Sequence, residues 1–315
     1  MIVCCPEKIE RSKNWKVFLA GPIQGAPEWQ FTLPEVPGIT WLSPRRKSYE
    51  KFDWNEQFDW ETKMLRSSDI VLFWIPEEKE SIPGRDYAQT TRTEIGEYLA
   101  LGKKIFFGCY SGWPGERYIL EKLKDYNQSS VPGRSLEDLI ERVDTYINSG
   151  EEPKIFFTSD THFGSLRTLE LSRRPFKSIN EMDWTTIRKW NNLVRPCDIV
   201  YHLGDFGESW PTRYLNGEIH LIFGNYERDG KSPIPPGVIL EGDSCKVGDL
   251  TLVHEPLKHS GKTLFGHIHG RQKVKSWSGL DVGVDGNNFQ PVSLEEAEFF
   301  LGAVEKGYYD SEVWS

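Results

Sequence analysis

Five short stretches carry the residue types best suited to chemistry: Asp160-x-His162, Gly204-Asp205, Gly224-Asn225, His254 and Gly266-His267-x-His269. Each follows an apolar run, and together they hold four of the seven histidines. Residues two apart on an extended chain project to the same side, so Asp160 with His162, and His267 with His269, are each expected to converge on one locus. Carboxylate and amide oxygens mixed with imidazoles suit Mn, Fe, Zn or Co better than Ca or an all-thiolate metal. The glycines before Asp205, Asn225 and His267 let the backbone turn tightly and approach an ion or a phosphate. Each piece alone is a weak signal. Five of them in this order predict a metal site. Four other residues are given roles outside the metal set. Glu227 is expected to orient a ligand, His202 to be buried behind the site, and His220 and His259 to serve surface or packing roles.

The first half offers a different set. "VFLAGPIQG" (17–25) ends a strand in Gly21 and Gly25, a turn that can present backbone N–H groups to an anion or a sugar. "SPRR" (43–46) places Arg45 and Arg46 in a loop, where they are either solvated or in contact with a phosphate. Glu61 falls on an expected helix ahead of Asp69. Glu94 lies near the start of the next helix, where a carboxylate can also simply complement the helix dipole.

These residues need elements to hold them. "DIVLFWIP" (69–76) and "KKIFFGCY" (103–110) are continuous apolar runs, as in strands covered on both faces. "TRTEIGEYLALG" (91–102) reads as a helix closed by Gly102. "SLEDLIERVDTYINSG" opens with a capping pattern, Ser135-x-x-Asp138. The alternation predicts a parallel sheet flanked by helices. In the second half a helix is expected over 183–194. Strands are expected at 153–160, 198–205, 219–225, 250–256 and 262–270, each ending in a polar residue, where open α/β sheets place their sites. A boundary is expected at 149–153, dividing the chain into domains 1–150 and 151–315.

Composition sets bounds. The 315 residues are 38% hydrophobic and 27% charged, with 13% aromatics including 12 Trp, a globular balance for about two domains. Base stacking is an attractive role for one or two tryptophans of the first half, core packing for the rest. A net charge of −9 argues against an extended nucleic-acid groove but not against small phosphorylated substrates. The five cysteines form no metal-binding spacing and read as inert thiols. No apolar stretch approaches the roughly 18 residues of a membrane helix, and a cytoplasmic protein without a membrane partner is expected.

The order D-x-H, G-D, G-N, H, G-H-x-H, with "YHLGDF", "LNGEIHLIFGN" and "LDVGVDGNNFQPVSLEE", resembles the calcineurin-like metallophosphoesterases, including small phage-type members. The resemblance covers nearly all of 153–300. It implies an αββα sandwich and two divalent metal ions, with Asp160, His162, Asp205 and His269 on one and Asp205, Asn225, His254 and His267 on the other. It also implies phosphoester hydrolysis by a water held between the ions. Where that family often has a His after Gly-Asn, this chain has Tyr226. A phenol can donate a hydrogen bond but shuttles protons poorly, so narrower leaving-group tolerance is expected.

The first-half pieces, over about 15–148, resemble the nucleoside 2-deoxyribosyltransferase-like family. This implies a flavodoxin-like, doubly wound parallel sheet and cleavage or transfer at an N-glycosidic bond. Glu94 would be the nucleophile, and Glu61 would position the sugar or move a proton. Paired carboxylates suit an oxocarbenium-like transition state. A strand Tyr common in that family is Phe18 here. Homo-oligomers are frequent in the family. Taken together, the chain reads as a nucleotide-processing hydrolase acting on a nucleotide or nucleoside phosphate. One alternative makes the first half a nucleotide-binding module without turnover, and another makes the chain a metal-stabilised scaffold.

Overall fold

A computed structural model describes residues 1–149, 152–256, 261–275 and 279–306. His259 and residues 150 and 151 of the expected boundary lie outside the described residues. The chain forms two compact units, Met1–Glu10 with Asn14–Glu151, and Arg11–Lys13 with Glu152–Ser315. Arg11–Lys13, expected in the first half, groups with the second unit because Arg11 donates to the carbonyls of Thr212 and Gly217 at 2.7 and 3.1 Å.

The first unit is a five-stranded, all-parallel sheet of β1 (Ile2–Cys4), β2 (Trp15–Ala20), β3 (Ile39–Ser43), β4 (Ile70–Ile75) and β5 (Lys104–Cys109), in the order β1-β3-β2-β4-β5. From β2 the chain winds one way to β3 and then the other way to β4 and β5, which opens a crevice at the carboxyl ends of β2 and β4. The helices are α1 (Trp54–Ser67), α2 (Gln89–Ala100), α3 (Glu116–Asp125) and α4 (Leu136–Ile147). Local chemistry starts two of them. Asp53 accepts from the N–H groups of Asn55 and Glu56, and Ser135 accepts from Asp138 N. One face of the sheet packs Val17, Leu19, Trp41, Ile70 and Leu72 against Leu139 and Val143 of α4. Strand β3 goes unanticipated in the sequence because its five residues sit in a stretch rich in Pro and Gly. Its burial is complete, and the partners on either side, β1 and β2, make it a strand.

The second unit stacks two sheets. One joins β6 (Ile155–Thr158), β7 (Ile199–His202), β8 (Glu218–Ile222) and β9 (Ile239–Gly242) in parallel, with β15 (Val292–Ser293) antiparallel on β6. The other runs in the order β10 (Ser244–Val247), β11 (Leu250–Val253), β12 (Thr263–Phe265), β14 (Gly279–Asp281), β13 (Val274–Lys275). Phe157, Leu203 and Ile222 meet Leu252, Leu264 and Leu280 in the core between the sheets. The helix α6 (Ile179–Leu193) covers the outer face of the first sheet through Trp184, Ile187 and Trp190. The last helix, α8 (Leu294–Glu305), packs on edge strands of both sheets, with Ala297 and Leu301 in the core. Short helices α5 (Leu166–Leu171) and α7 (Asn225–Arg228) follow β6 and β8. Among the described residues no helix is long and apolar enough to cross a membrane.

Candidate active sites

In the second unit the register sets the geometry. Thr158 pairs with His202, and His202 with Leu221, so the segments after β6, β7 and β8 emerge side by side. They carry Asp160, Asp205 and Asn225. Across the sandwich, Leu252 pairs with Leu264, so His254 and His267 follow adjacent parallel strands.

Each carboxylate is tied by one oxygen and bare at the other. Asp160 Oδ2 accepts from His267 N at 2.7 Å, while buried Oδ1 has no hydrogen-bond partner and lies 3.8 Å from His162 Nε2 and 4.0 Å from His269 Nε2. Asp205 Oδ1 accepts from Tyr226 N at 2.9 Å, and Oδ2 lies 3.4 Å from His162 Nε2 and 3.7 Å from His254 Nε2. Asn225 Oδ1 is 3.0 Å from His254 Nε2 and 3.2 Å from His267 Nδ1. Two donors each about 2.1 Å from one ion stand roughly 3.0–3.4 Å apart at octahedral or tetrahedral angles. The donor spacings here sit at or just above that range.

Protonation supports the same use. His254 Nδ1 donates to the Leu203 carbonyl at 2.7 Å, and its Nε2 lies 3.0 Å from Asn225 Oδ1 and 3.2 Å from His267 Nδ1. His162 is 2% exposed, and neither ring nitrogen has a hydrogen-bond partner. Burial, with Arg174 and His269 nearby, drives its pKa down to about 2, so it stays neutral. Unpartnered buried donors of this type fit divalent cations.

The backbone is strained at the same place. Asp160, His162, Asp205, His267 and His269 all have positive φ, from 48° to 72°. Each costs on the order of 1–3 kcal/mol, which the surrounding structure must sustain. The expected extended chain is therefore corrected. The D-x-H and H-x-H pairs leave their strands in left-handed turns. Asp160 and His162 share one locus, but His267 joins Asn225 and His254 while His269 joins Asp160. The glycines act by close approach. A Cβ on Gly266 would collide with Ser159 Oγ and Asp160 Oδ2, and one on Gly224 with Asp205 Oδ1.

Two supports, Asp285 and Arg174, carried no assigned role in the sequence, unlike Glu227, His202 and His220. Asp285 accepts from His269 Nδ1 at 2.8 Å and from both Nε and Nη2 of Arg174 at 2.9 and 2.8 Å, so His269 presents Nε2 to the site. Burial alone would raise the Asp285 pKa, but these hydrogen bonds outweigh it and hold the carboxyl down to about 2. Arg174 also donates to the carbonyls of Asp160 and Thr161. Glu227 accepts from Asp205 N, Phe206 N and Gly224 N at 2.8–2.9 Å, fixing two of the ligand turns at once. His202 bonds Thr161 behind the site, and half-buried His220 bonds Glu241. Next to the donors a cavity of about 400 Å³ is lined by His162, Tyr226 and three arginines, Arg167, Arg173 and Arg271.

The first unit has its own cavity, about 330 Å³, in the crevice at the carboxyl ends of β2 and β4. Glu61 and Glu94 both line it, with Phe18, Gly21, Gln24 and an aromatic wall of Tyr49, Phe52, Trp54 and Phe58. Trp54 is 63% exposed and stacks on Phe58 with ring centroids 5.3 Å apart. Trp29, Trp41, Trp60 and Trp74 are core residues. Gly21 has φ 151°, and a Cβ there would strike the Trp74 carbonyl. Glu61 accepts from Gln57 Nε2 at 2.6 Å, and burial raises its pKa against that bond.

Three expected substrate contacts stand apart from the cavity lining. Arg45 is buried and spent on Gln30, Glu28 and the Ile23 carbonyl, bracing the loop that lines the cavity rather than facing into it. Arg46 is held by Gln57 and Glu56. Asp69 accepts from Lys16 N at 2.6 Å inside the sheet. Gly25 also lies outside the lining, its carbonyl accepting from Lys79 N and Glu80 N.

Burial, then the charges of Glu61 and Glu97, push the Glu94 pKa up to about 7 from 4.5. The folded state thus holds its proton longer than the unfolded chain. This contribution to stability is complete below pH 4.5 and is lost as pH rises through 7, by roughly 3 kcal/mol. Glu94→Gln is expected to remove that part of the slope. Denaturant melts of the full chain at pH 5 and pH 8 check it, and an unchanged slope would contradict the burial of this carboxyl.

Residues 14–112 match the family described as nucleoside 2-deoxyribosyltransferase like. Two solved structures show weak likeness. One is a protein of unknown function, AQ665 from Aquifex aeolicus, at 19% identity and TM-score 0.39, covering 47% of this chain and 100% of that one. The other is the Pseudomonas putida nuclease MPE, at 25% identity and TM-score 0.27, covering 36% of this chain and 60% of that one. Neither carries weight at those scores. The uncharacterized protein MJ1445 of Methanocaldococcus jannaschii is 34% identical over an alignment of length 176 that covers 49% of this chain and 93% of that protein. On that extent of identity, the chain belongs to the same family as MJ1445.

Proposed function

We propose that the chain is a two-domain nucleotide-processing enzyme. Its second domain is a calcineurin-like phosphoesterase using two divalent cations. Its first is a flavodoxin-like domain that binds a nucleoside or nucleotide and acts at the N-glycosidic bond. The observation that carries the reading is the pair of carboxylate oxygens, on Asp160 and Asp205, left bare within 4.0 Å of the Nε2 atoms of His162, His254 and His269. Asp160, His162, Asp205 and His269 would hold one cation, and Asp205, Asn225, His254 and His267 the other, with Asp205 in both sets. The donor set suits Mn, Fe, Zn or Co. When bound, such cations acidify water and neutralise charge on phosphoryl oxygens.

The chain's own residues supply the rest. Tyr226 packs edge-on to His162 with ring centroids 4.8 Å apart, and its Oη accepts from Arg167 Nη1 at 2.8 Å. Its O–H is then available to a substrate oxygen. A phenol is a weaker acid than an imidazolium, so esters with poor leaving groups are disfavoured. Tyr226→His is expected to raise turnover of an alkyl phosphate relative to p-nitrophenyl phosphate by about tenfold. An unchanged ratio would remove Tyr226 from leaving-group selection.

In the first domain, two carboxyls beside an aromatic wall suit a sugar and its base. Phe18 lines that cavity without a hydroxyl, which favours binding without turnover as the second reading. A screen of nucleotides and cyclic nucleotides with Mn, reading phosphate and free base together, tests the whole. Phosphate release abolished by a chelator and restored by Mn is expected. No release from any ester would overturn the phosphoesterase reading.

A further inference from the structure

Arg167, Arg173 and Arg271 line the cavity beside the donor cluster, and the position they occupy relative to the site suggests more than one phosphate. The chain carries a net charge of −9. Yet among the described residues lining this cavity the only carboxylate is Asp205, which the donor cluster already uses. The cations come from three places: Arg167 from α5, Arg173 from the turn after it, and Arg271 from the turn after His269. Two features tie them to the site rather than to the general surface. Arg167 grips the Tyr226 hydroxyl, whose ring abuts His162. Arg173 closes α5 as its left-handed C′ residue, with Arg173 N bonded to the Glu170 carbonyl and Arg174 N to the Leu169 carbonyl, and it follows Ser172, whose hydroxyl lies 3.2 Å from His269 Nδ1.

A single phosphoryl group at the donor cluster would meet its charge there. A cavity of about 400 Å³ has room for a nucleotide-sized ligand. Guanidinium forks are the groups that bind phosphate bidentately, and three of them are more than one scissile phosphoryl group needs beside two cations.

Resting on the phosphoesterase reading of this site, we propose that its substrate is a small ester carrying two phosphoryl groups. One lies at Asp160, Asp205 and the histidines, and the other is held by Arg167, Arg173 and Arg271. A nucleoside bisphosphate is the class that fits. The net charge of −9 favours it over a nucleic-acid strand.

The test is calorimetric binding to the full chain in Mn, comparing adenosine 3′,5′-bisphosphate with adenosine 5′-monophosphate. The parent protein should bind the bisphosphate at least about tenfold more tightly, a difference one charge-assisted contact can supply. In an Arg173→Ala/Arg271→Ala double variant that ratio should fall close to one, while Arg271→Lys should keep part of it. Both side chains are exposed, and a thermal melt verifies that the variants fold. Equal affinities in the parent, or a preference that survives in the double variant, would overturn the proposal. So would a short single-stranded oligonucleotide that binds as tightly as the bisphosphate. Turnover is read separately. If no ester is hydrolysed, the phosphoesterase reading fails, while the binding ratio still decides what the arginines hold.

Discussion

Asp205→Asn is expected to lower metal-dependent phosphoester hydrolysis by at least about 10³-fold while the protein folds normally. The argument is local. Asp205 Oδ1 accepts from Tyr226 N, and an Asn oxygen can keep that bond. The other position, 3.4 and 3.7 Å from the Nε2 atoms of His162 and His254, then becomes an NH₂. It donates to the imidazole lone pairs that would otherwise face a cation. The same change removes a buried carboxylate near Asp160, so stability should not fall. Hydrolysis of p-nitrophenyl phosphate and bis-p-nitrophenyl phosphate in Mn, with a denaturant melt as control, checks both halves. Activity within tenfold of the parent would mean that Asp205 is not shared between two cations.

The second large effect lies in the other unit. Glu94→Gln is expected to abolish release of free base from a nucleoside or nucleotide, by about 10³-fold or more, and to leave phosphate release unchanged. Glu94 and Glu61 line one cavity, and the proximity of Glu61 helps raise the Glu94 pKa to about 7. A carboxyl poised there is ionised above neutral pH, when it can attack an anomeric carbon, and Gln cannot. Chromatographic detection of free base decides it. Base release by the parent, lost in the variant, supports catalysis in this unit. Release that persists in the variant contradicts a nucleophilic Glu94, and a parent that only binds nucleoside favours the second reading.

The stretches that meet in the second unit were legible because their polar residues follow apolar runs and stand next to glycines, both of which are local features. What the sequence hid was conformation and distance. Left-handed turns at Asp160, His162, His267 and His269 have no pattern of their own, so alternation along an extended chain misassigned how the pairs converge. Asp285 and Arg174 are 111 residues apart and meet only in the fold. The pair of arginines in "SRRPF" was the available signal for the latter. Arg45 and Arg46 were obscured for a related reason. A charge in a loop looks solvated, yet Arg45 is 7% exposed and Arg46 is 5% exposed, both bonded inward. The cavity arginines went unseen because arginines scattered over about 100 residues carry no spacing rule. The sheet of the first unit was readable from its fully buried strands. The edge-on seat of α8 on both sheets of the second unit was not, since it depends on which strands end up as neighbours.

An anomalous difference map from crystals soaked in manganese tests the central claim most directly. Two peaks are expected, about 3.5–4 Å apart. One should lie among Asp160, His162 and His269, the other among Asn225, His254 and His267, with Asp205 Oδ2 reaching both. A map with no peak among these residues, or one whose peaks avoid Asp205, would contradict a two-cation centre in this protein.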